Sequence, residues 1–279
     1  MLWRLAVALV LSSQLALAEG GAVLSQVLQL PGGGNRAFNG ISGIEVDADG
    51  RWATALNDKG WLFELQLTRD ENDDLRAATA KRIEWPRPGG DSEGVAIAPD
   101  GTLYVSHEGP ASLVKLMNYR FHCVASHEDF AMLGSNRSLE ALAISPAGDA
   151  YVVPERPLAH ASTLRVYRYR NGVWDVSREL PIDEAYYPVG ADFGPDGLLY
   201  LLERAASPLG FRSRIRRFDP EVSDGPVMPV LETRLGLHDN LEGISVWKDG
   251  QGQTRITMVS DNNFLRIQRR EIVEYVLND

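Results

Sequence analysis

The sequence has one cysteine, five histidines and no long apolar run after its first 18 residues. A single cysteine, Cys123, excludes a disulfide within the chain. A lone cysteine of this kind is expected to be a small buried apolar residue. The histidines His107, His122, His127, His160 and His238 show no His-Glu-x-x-His spacing. There is no Gly-x-Ser-x-Gly elbow, so a serine esterase on an α/β-hydrolase fold has no support. Positive charge is scarce: 28 basic residues face 38 acidic ones, a net charge of -10. That balance argues against nucleic acid as a partner. No segment sustains a 3.6-residue apolar period, so helices are not expected. "PGGGNRAFNG" (Pro31 to Gly40) is glycine-rich, but no helical pattern follows it to seat a phosphate, and it reads as a closure loop.

The one apolar run is an address. Arg4 precedes "LAVALVLSSQLALA", which ends in Ala16-Leu17-Ala18. This pattern predicts a signal peptide over residues 1–18, cleaved between Ala18 and Glu19. The run is short for a membrane span, and no cysteine stands at the cleavage point to take a lipid. Residues 19–279 are then a single exported domain, periplasmic or secreted, with no membrane span.

Most of that domain is a repeat. Glycines at Gly50, Gly101, Gly148, Gly197 and Gly250 align, and eight residues upstream stand Ser42, Glu93, Glu140, Val189 and Glu242. The intervals between these five positions are 51, 47, 49 and 53 residues, a period that marks a solenoid, propeller or array. Each unit opens with a short apolar strand such as "GVAIA" or "GISVW", turns at glycine, and continues in a second such as "TLYVS" or "LLYLL". "WLFELQL" with "AKRIEW", and "TLRVYRY" with "WDVSREL", supply third and fourth strands. Four antiparallel strands repeated radially make an all-β fold, a single β-propeller. Five motifs give five blades; six stay open if one divergent unit escapes the alignment. The last unit lacks a fourth strand, and "AVLSQVLQL" (Ala22 to Leu30) is expected to fill the gap and close the ring. "TRDENDDLRAATA" (Thr68 to Ala80) and "DPEVSDGP" (Asp219 to Pro226) read as solvated hairpin loops.

Ring symmetry carries the site. An acid that starts the first strand and one that ends the second lie at the same end of their hairpin. Glu93, Glu140 and Glu242 should converge on one mouth of the central channel, with Asp58, Glu108, Glu155, Glu203 and Asp261 in a wider ring. Converging carboxylates raise one another's pKa values unless a cation sits among them. An oxygen-only donor set suits Ca²⁺ or Mg²⁺. Glu93, Glu108, Glu140, Glu155, Glu242, Asp58 and Asp261 are therefore candidate ligands for a divalent cation. The alternative is a latch, in which these carboxylates accept N–H groups from the neighbouring blade; the two roles are compatible. Basic groups share the mouth: Arg137, Arg156, Arg204, Lys59 and His107. Arginine presents a planar fork matched to phosphate, so these are the candidate substrate-binding residues.

The ordered set "NGISGIEVD", "DSEGVAIAPDG", "LEALAISPAGD", "YPVGADFGPDG", "NLEGIS" and "MVSDNNF" resembles the phytase-like family, also described as esterase-like activity of phytase. The likeness runs from about Phe38 to the C-terminus. It implies a secreted or periplasmic β-propeller with calcium-dependent phosphoester hydrolysis at the channel mouth. A small phosphorylated ligand and a monomer are the expectation. The competing reading is a non-catalytic propeller that binds a small ligand or an envelope protein.

Overall fold

A computed structural model describes residues 21–30, 38–83, 91–134, 138–265 and 267–278. The signal-peptide reading, the closure-loop reading of Pro31 to Arg36 and the position of Arg137 fall outside these residues. The chain forms five four-stranded antiparallel sheets. β1 (Ala22–Gln29) comes first and is set aside for the last sheet. Blade 1 is β2 (Ile41–Val46), β3 (Trp52–Asn57), β4 (Leu62–Arg69) and β5 (Leu75–Arg82). Blade 2 is β6 (Ser92–Ile97), β7 (Leu103–His107), β8 (Ser112–Met117) and β9 (Arg120–Cys123). Blade 3 is β10 (Ala141–Ile144), β11 (Ala150–Val153), β12 (Thr163–Arg170) and β13 (Val173–Pro181). Blade 4 is β14 (Tyr187–Phe193), β15 (Leu199–Ser207), β16 (Gly210–Phe218) and β17 (Met228–Glu232). Blade 5 is β18 (Leu241–Lys248), β19 (Thr254–Ser260) and β20 (Glu271–Leu277), completed by β1. The first strands β2, β6, β10, β14 and β18 touch in sequence around a closed ring. The fold is a five-bladed β-propeller whose last blade takes its outer strand from the N-terminus.

Apolar side chains pack between blades, as the period-2 pattern requires of sheets covered on both faces. Phe63, Leu65 and Ile44 of blade 1 meet Trp247, Val259 and Ile272 of blade 5. Similar layers fill the four other interfaces. The ring is tight at its axis. A Cβ added to Gly190 would lie 2.3 Å from the Glu242 carbonyl oxygen, and one at Gly94 would lie 2.7 Å from Leu142 Cβ. The residues after Ser42, Glu93, Val189 and Glu242 are all glycine because backbones of neighbouring blades approach there.

Three expectations are corrected by the chain's geometry. The turn glycine of blade 5 is Gly252 (φ +83°), whose N–H donates to Asp249, and not Gly250. β18 is simply longer, so Glu242 keeps its place. The segment Thr68 to Ala80 is not all loop: β5 begins at Leu75, which is buried. Cys123 is exposed, because the edge strand β9 lies largely open to solvent.

Blades 1 and 5 are also joined by buried charge. Arg69 of β4 holds Glu274 of β20 through two bonds of 2.6 and 2.8 Å, with both side chains at most 1% exposed. Arg69 also donates to the Gly50 carbonyl and stacks 4.5 Å from the Trp247 ring. Removing Arg69 leaves the buried Glu274 carboxylate with Thr257 at 2.8 Å and Arg255 at 3.9 Å. Arg69→Met should cost about 3–5 kcal/mol, and the double variant with Glu274→Leu should recover most of it. Thermal melts of the cycle check this; additive losses would mean the pair is not coupled.

Candidate active site at the channel mouth

The mouth is built by bulges. In four first strands the ladder skips at Ser42, Glu93–Gly94, Val189 and Glu242. A bulge re-aims its side chain, here toward the axis. In blade 3 Glu140 stands just ahead of β10, and its N–H donates to the Ser138 carbonyl. The wider ring follows one rule. The N–H groups of Asp58, Glu108, Glu155 and Asp261 donate to the carbonyls of Gly40, Asp91, Ser138 and Asn240, each at 2.9 Å. The same site in blade 4 is Arg204, which pairs with Tyr187. The wider ring is thus four acids and one arginine.

Glu203 does not belong to it. It stands one residue earlier, and its buried carboxylate accepts from Arg214 at 2.9 Å and from Arg216 at 2.6 and 2.7 Å. His107 takes the same register in blade 2 and is 5% exposed, so it too turns into the blade. One position along a strand reverses the face.

Glu93, Glu108 and Glu140 each bring a carboxylate oxygen within 4.8 Å of the others. Oxygens around one Ca²⁺, at 2.3–2.6 Å each, lie at most about 5 Å apart. The three therefore fit a hard divalent cation. Burial pushes the Glu93 carboxyl well above the usual range, and the charges of Glu242, Glu108, Asp58 and Asp261 push it further. Glu140 is raised in the same way, first by burial and then by Glu93 and Glu242. Burial raises Glu108 too, against a hydrogen bond with Glu140. Asp261 is pushed up to about 7 by burial and the Glu242 charge. Burial also raises Asp58, despite Lys59 bound at 3.2 Å. This is a set of acids whose electrostatics favour an added positive charge.

Burial raises Glu242 too, although here Arg204 and Asn240 oppose it. Arg204 donates to Glu242 and, at 2.6 Å, to Asn240, which itself donates to Glu242 at 2.9 Å. Its other terminal nitrogen lies 3.9 Å from Glu155. Arg156 stacks 3.3 Å from the centroid of Tyr187, with its Nε 3.8 Å from Glu155. Lys59 is half exposed and lies 5.6 Å from the Phe264 ring.

Sequence reasoning missed Asn240, although it stands beside Leu241 and Glu242 in "NLEGIS". It sought a latch on Glu93, Glu140 and Glu242, whereas Ser245, Asp192 and Glu45 latch neighbouring blades at the opposite end of the first strands. Ser245 Oγ accepts from Val46 N–H at 3.0 Å, and Asp192 Oδ2 accepts from Val246 N–H at 2.6 Å. Ile97 N–H similarly bonds Glu45, whose carboxyl is raised first by burial and then by Asp192. A larger cavity of about 400 Å³ opens at that end, lined by Glu45, which serves the latch, and by Asp47 and Glu64. Beneath the mouth the axis narrows to a cavity of about 10 Å³, room for one water centre. Chemistry at the mouth is therefore confined to its surface.

A family model described as "Phytase-like: Esterase-like activity of phytase" matches residues 36–264. The chain belongs to the phytase-like family. No curated protein matches it. Solved structures match this phytase-like chain at low identity. One is a gluconolactonase from Xanthomonas campestris, 12% identical, covering 85% of this chain and 71% of that one, with a TM-score of 0.48. Another is regucalcin, a calcium-binding protein from Agrobacterium tumefaciens, 11% identical, covering 86% and 91%, with a TM-score of 0.49. A third is a PQQ-bound aldose sugar dehydrogenase from Streptomyces coelicolor, 13% identical, covering 93% and 89%, with a TM-score of 0.43. Among the described residues of the phytase-like chain, no helix is long and apolar enough to cross a membrane.

Proposed function

We propose that this phytase-like propeller is an exported, divalent-cation-dependent hydrolase of phosphoric esters, with calcium as its cation and the carboxylate mouth as its site. The observation that carries the reading is the oxygen triad of Glu93, Glu108 and Glu140 facing a blade that substitutes Arg204 for the ring acid. Arg204, the one basic position of the wider ring, sits among the charges of Glu242, Glu140 and Glu155. Glu93, Glu108 and Glu140 would hold the cation, which would supply positive charge for the ester oxygens and a more acidic water. Arg204 neutralises Glu242 and orients it through Asn240. Arg156, braced flat on Tyr187, keeps the edge of its guanidinium for an anionic oxygen. Asp261 Oδ1 takes the Asn263 N–H, which leaves Oδ2 to accept a proton. The natural substrate is a small phosphorylated ligand, and the protein acts as a periplasmic or secreted monomer.

The test is a panel of phosphomonoesters and phosphodiesters offered to metal-stripped protein, with and without Ca²⁺, Mg²⁺ or Mn²⁺. Turnover should appear with at least one cation. Glu140→Gln should lower kcat roughly 10²-fold with little change in KM. Arg156→Ala should raise KM about tenfold, and Arg156→Lys should recover only part, because a point charge cannot reproduce the fork. Tight binding of a phosphorylated compound with no turnover under any metal would instead make the mouth a ligand-binding site. No turnover and no binding would sink both.

A further inference from the structure

The five second strands carry one aligned position. The turns begin at Asp47, Ala98, Ser145, Gly194 and Asp249, whose N–H groups bond back across them. Two residues before each start, the ladder pairs Glu45 with Thr54, Ala96 with Tyr104, Ala143 with Tyr151, Asp192 with Tyr200 and Trp247 with Arg255. All of these second-strand residues but Thr54 are long and fill the space before the next blade. Tyr151 packs with Ala191 and Leu199 of blade 4, and Tyr200 with Ile244 and Val246 of blade 5. Tyr104 packs against the layer between blades 2 and 3, and Arg255 reaches the Asn72 carbonyl of blade 1 at 2.7 Å. Beside the tyrosines the third strands place Lys115, Arg168 and Arg217.

Blade 1 has neither the ring nor the base. Its residue is Thr54, and the neighbour across the ladder is Glu64. The cavity of about 400 Å³ lies in the space so left, a size ordinary for small-molecule sites. Its lining holds Glu45, Asp47 and Glu64 and no lysine or arginine. Lys81, next across the ladder from Glu64, is exposed and is not part of the lining. Trp52 and Ile97 supply apolar walls and stay 42% and 36% exposed. Burial and then the Asp192 charge hold the Glu45 carboxyl above its usual range, which an adjacent cation would relieve. Blade 5 shows what the position accepts. The buried Arg255 guanidinium fills it, and its Nε donates to Asp249, the counterpart of Asp47, at 2.7 Å.

We infer that the cleft between blades 1 and 2 binds a small aromatic cation, whose ring takes the place tyrosine holds in blades 2, 3 and 4 and whose charge meets Glu45, Asp47 and Glu64. The proposal stands apart from the hydrolase reading: the cleft opens at the end of the first strands opposite the mouth, and its test needs no turnover. Isothermal titration calorimetry of the full chain compares benzamidine, a planar aryl cation, with benzamide, its neutral counterpart. Benzamidine should bind with a Kd below about 1 mM, and benzamide at least about tenfold more weakly. Glu64 is exposed, so Glu64→Gln should keep the melting temperature and weaken benzamidine about fivefold. Thr54→Tyr installs the ring that the other blades carry; it should weaken benzamidine at least about tenfold while holding or raising the melting temperature. No binding of benzamidine at about 10 mM, or equal binding of benzamide, overturns the proposal. Binding that ignores both substitutions would put the cation elsewhere, the mouth included, and also overturn it.

Discussion

Deleting Ala22–Gln29 should abolish the single cooperative melting transition of the propeller. β1 is the outer strand of blade 5, in register with β20 from Ala22↔Leu277 to Gln29↔Glu271. Without it, β20 becomes an edge whose unpaired N–H and C=O groups are open to any other chain. Ala22, Leu24 and Val27 also leave the layer that covers Val273 and Tyr275. Ser25 Oγ donates to Asp74 at 2.7 Å, so the bond between β1 and blade 1 goes too. Lost burial alone is roughly 5 kcal/mol, comparable with the whole stability of an ordinary domain. Circular dichroism melts and light scattering read the result: a broad, early loss of structure with aggregation. A peptide of sequence AVLSQVLQL added in trans should restore a sharp transition, because it can pair with the same edge. A deletion variant that melts as the parent does would refute closure by β1.

A divalent cation should raise the melting temperature by about 5–10 °C at pH 8 and by little at pH 5. Glu93, Glu140 and Asp261 have pKa values raised in the folded state, the last to about 7. Between about pH 4 and pH 7 the folded chain then holds more protons than the unfolded one. The contribution of these groups to cation-free stability is therefore greatest below the ordinary carboxylate pKa and is lost as pH rises through about 7. Asp192, buried at the far end and also pushed up to about 7, adds the same sign. A cation binds the ionised carboxylates, so its stabilisation grows over the same window. At a hundredfold excess over Kd it amounts to about 2.7 kcal/mol, and each kcal/mol is worth about 2–4 °C for a chain of this size. Glu93→Gln and Glu140→Gln should shrink the shift, yet raise cation-free stability at pH 8 by removing repulsion. An equal cation shift in parent and variants would place the cation elsewhere.

Much of this molecule was legible before folding. The 50-residue period and the glycine turns declare a propeller, and five motifs declare five blades. An unpartnered third strand at the C-terminus and a β-like run at the N-terminus declare how the ring closes. These are local signals, carried by strand alternation and by turns that only glycine enters easily. Glu93, Glu140 and Glu242 were legible as a ring for the same reason, each standing at one register of a repeat.

Tertiary structure decided the rest. Whether Glu203 or Arg204 faces the mouth depends on a single residue of register, and the bulge at Val189 that sets it leaves no mark in composition. The latch sits on Glu45, Asp192 and Ser245 because there neighbouring backbones bring N–H groups within reach. Arg69 and Glu274 are 205 residues apart in sequence and meet only when the ring closes. Periodicity specifies which strands form and in what order; charge pairing across blades depends on distances that exist only once the circle is complete.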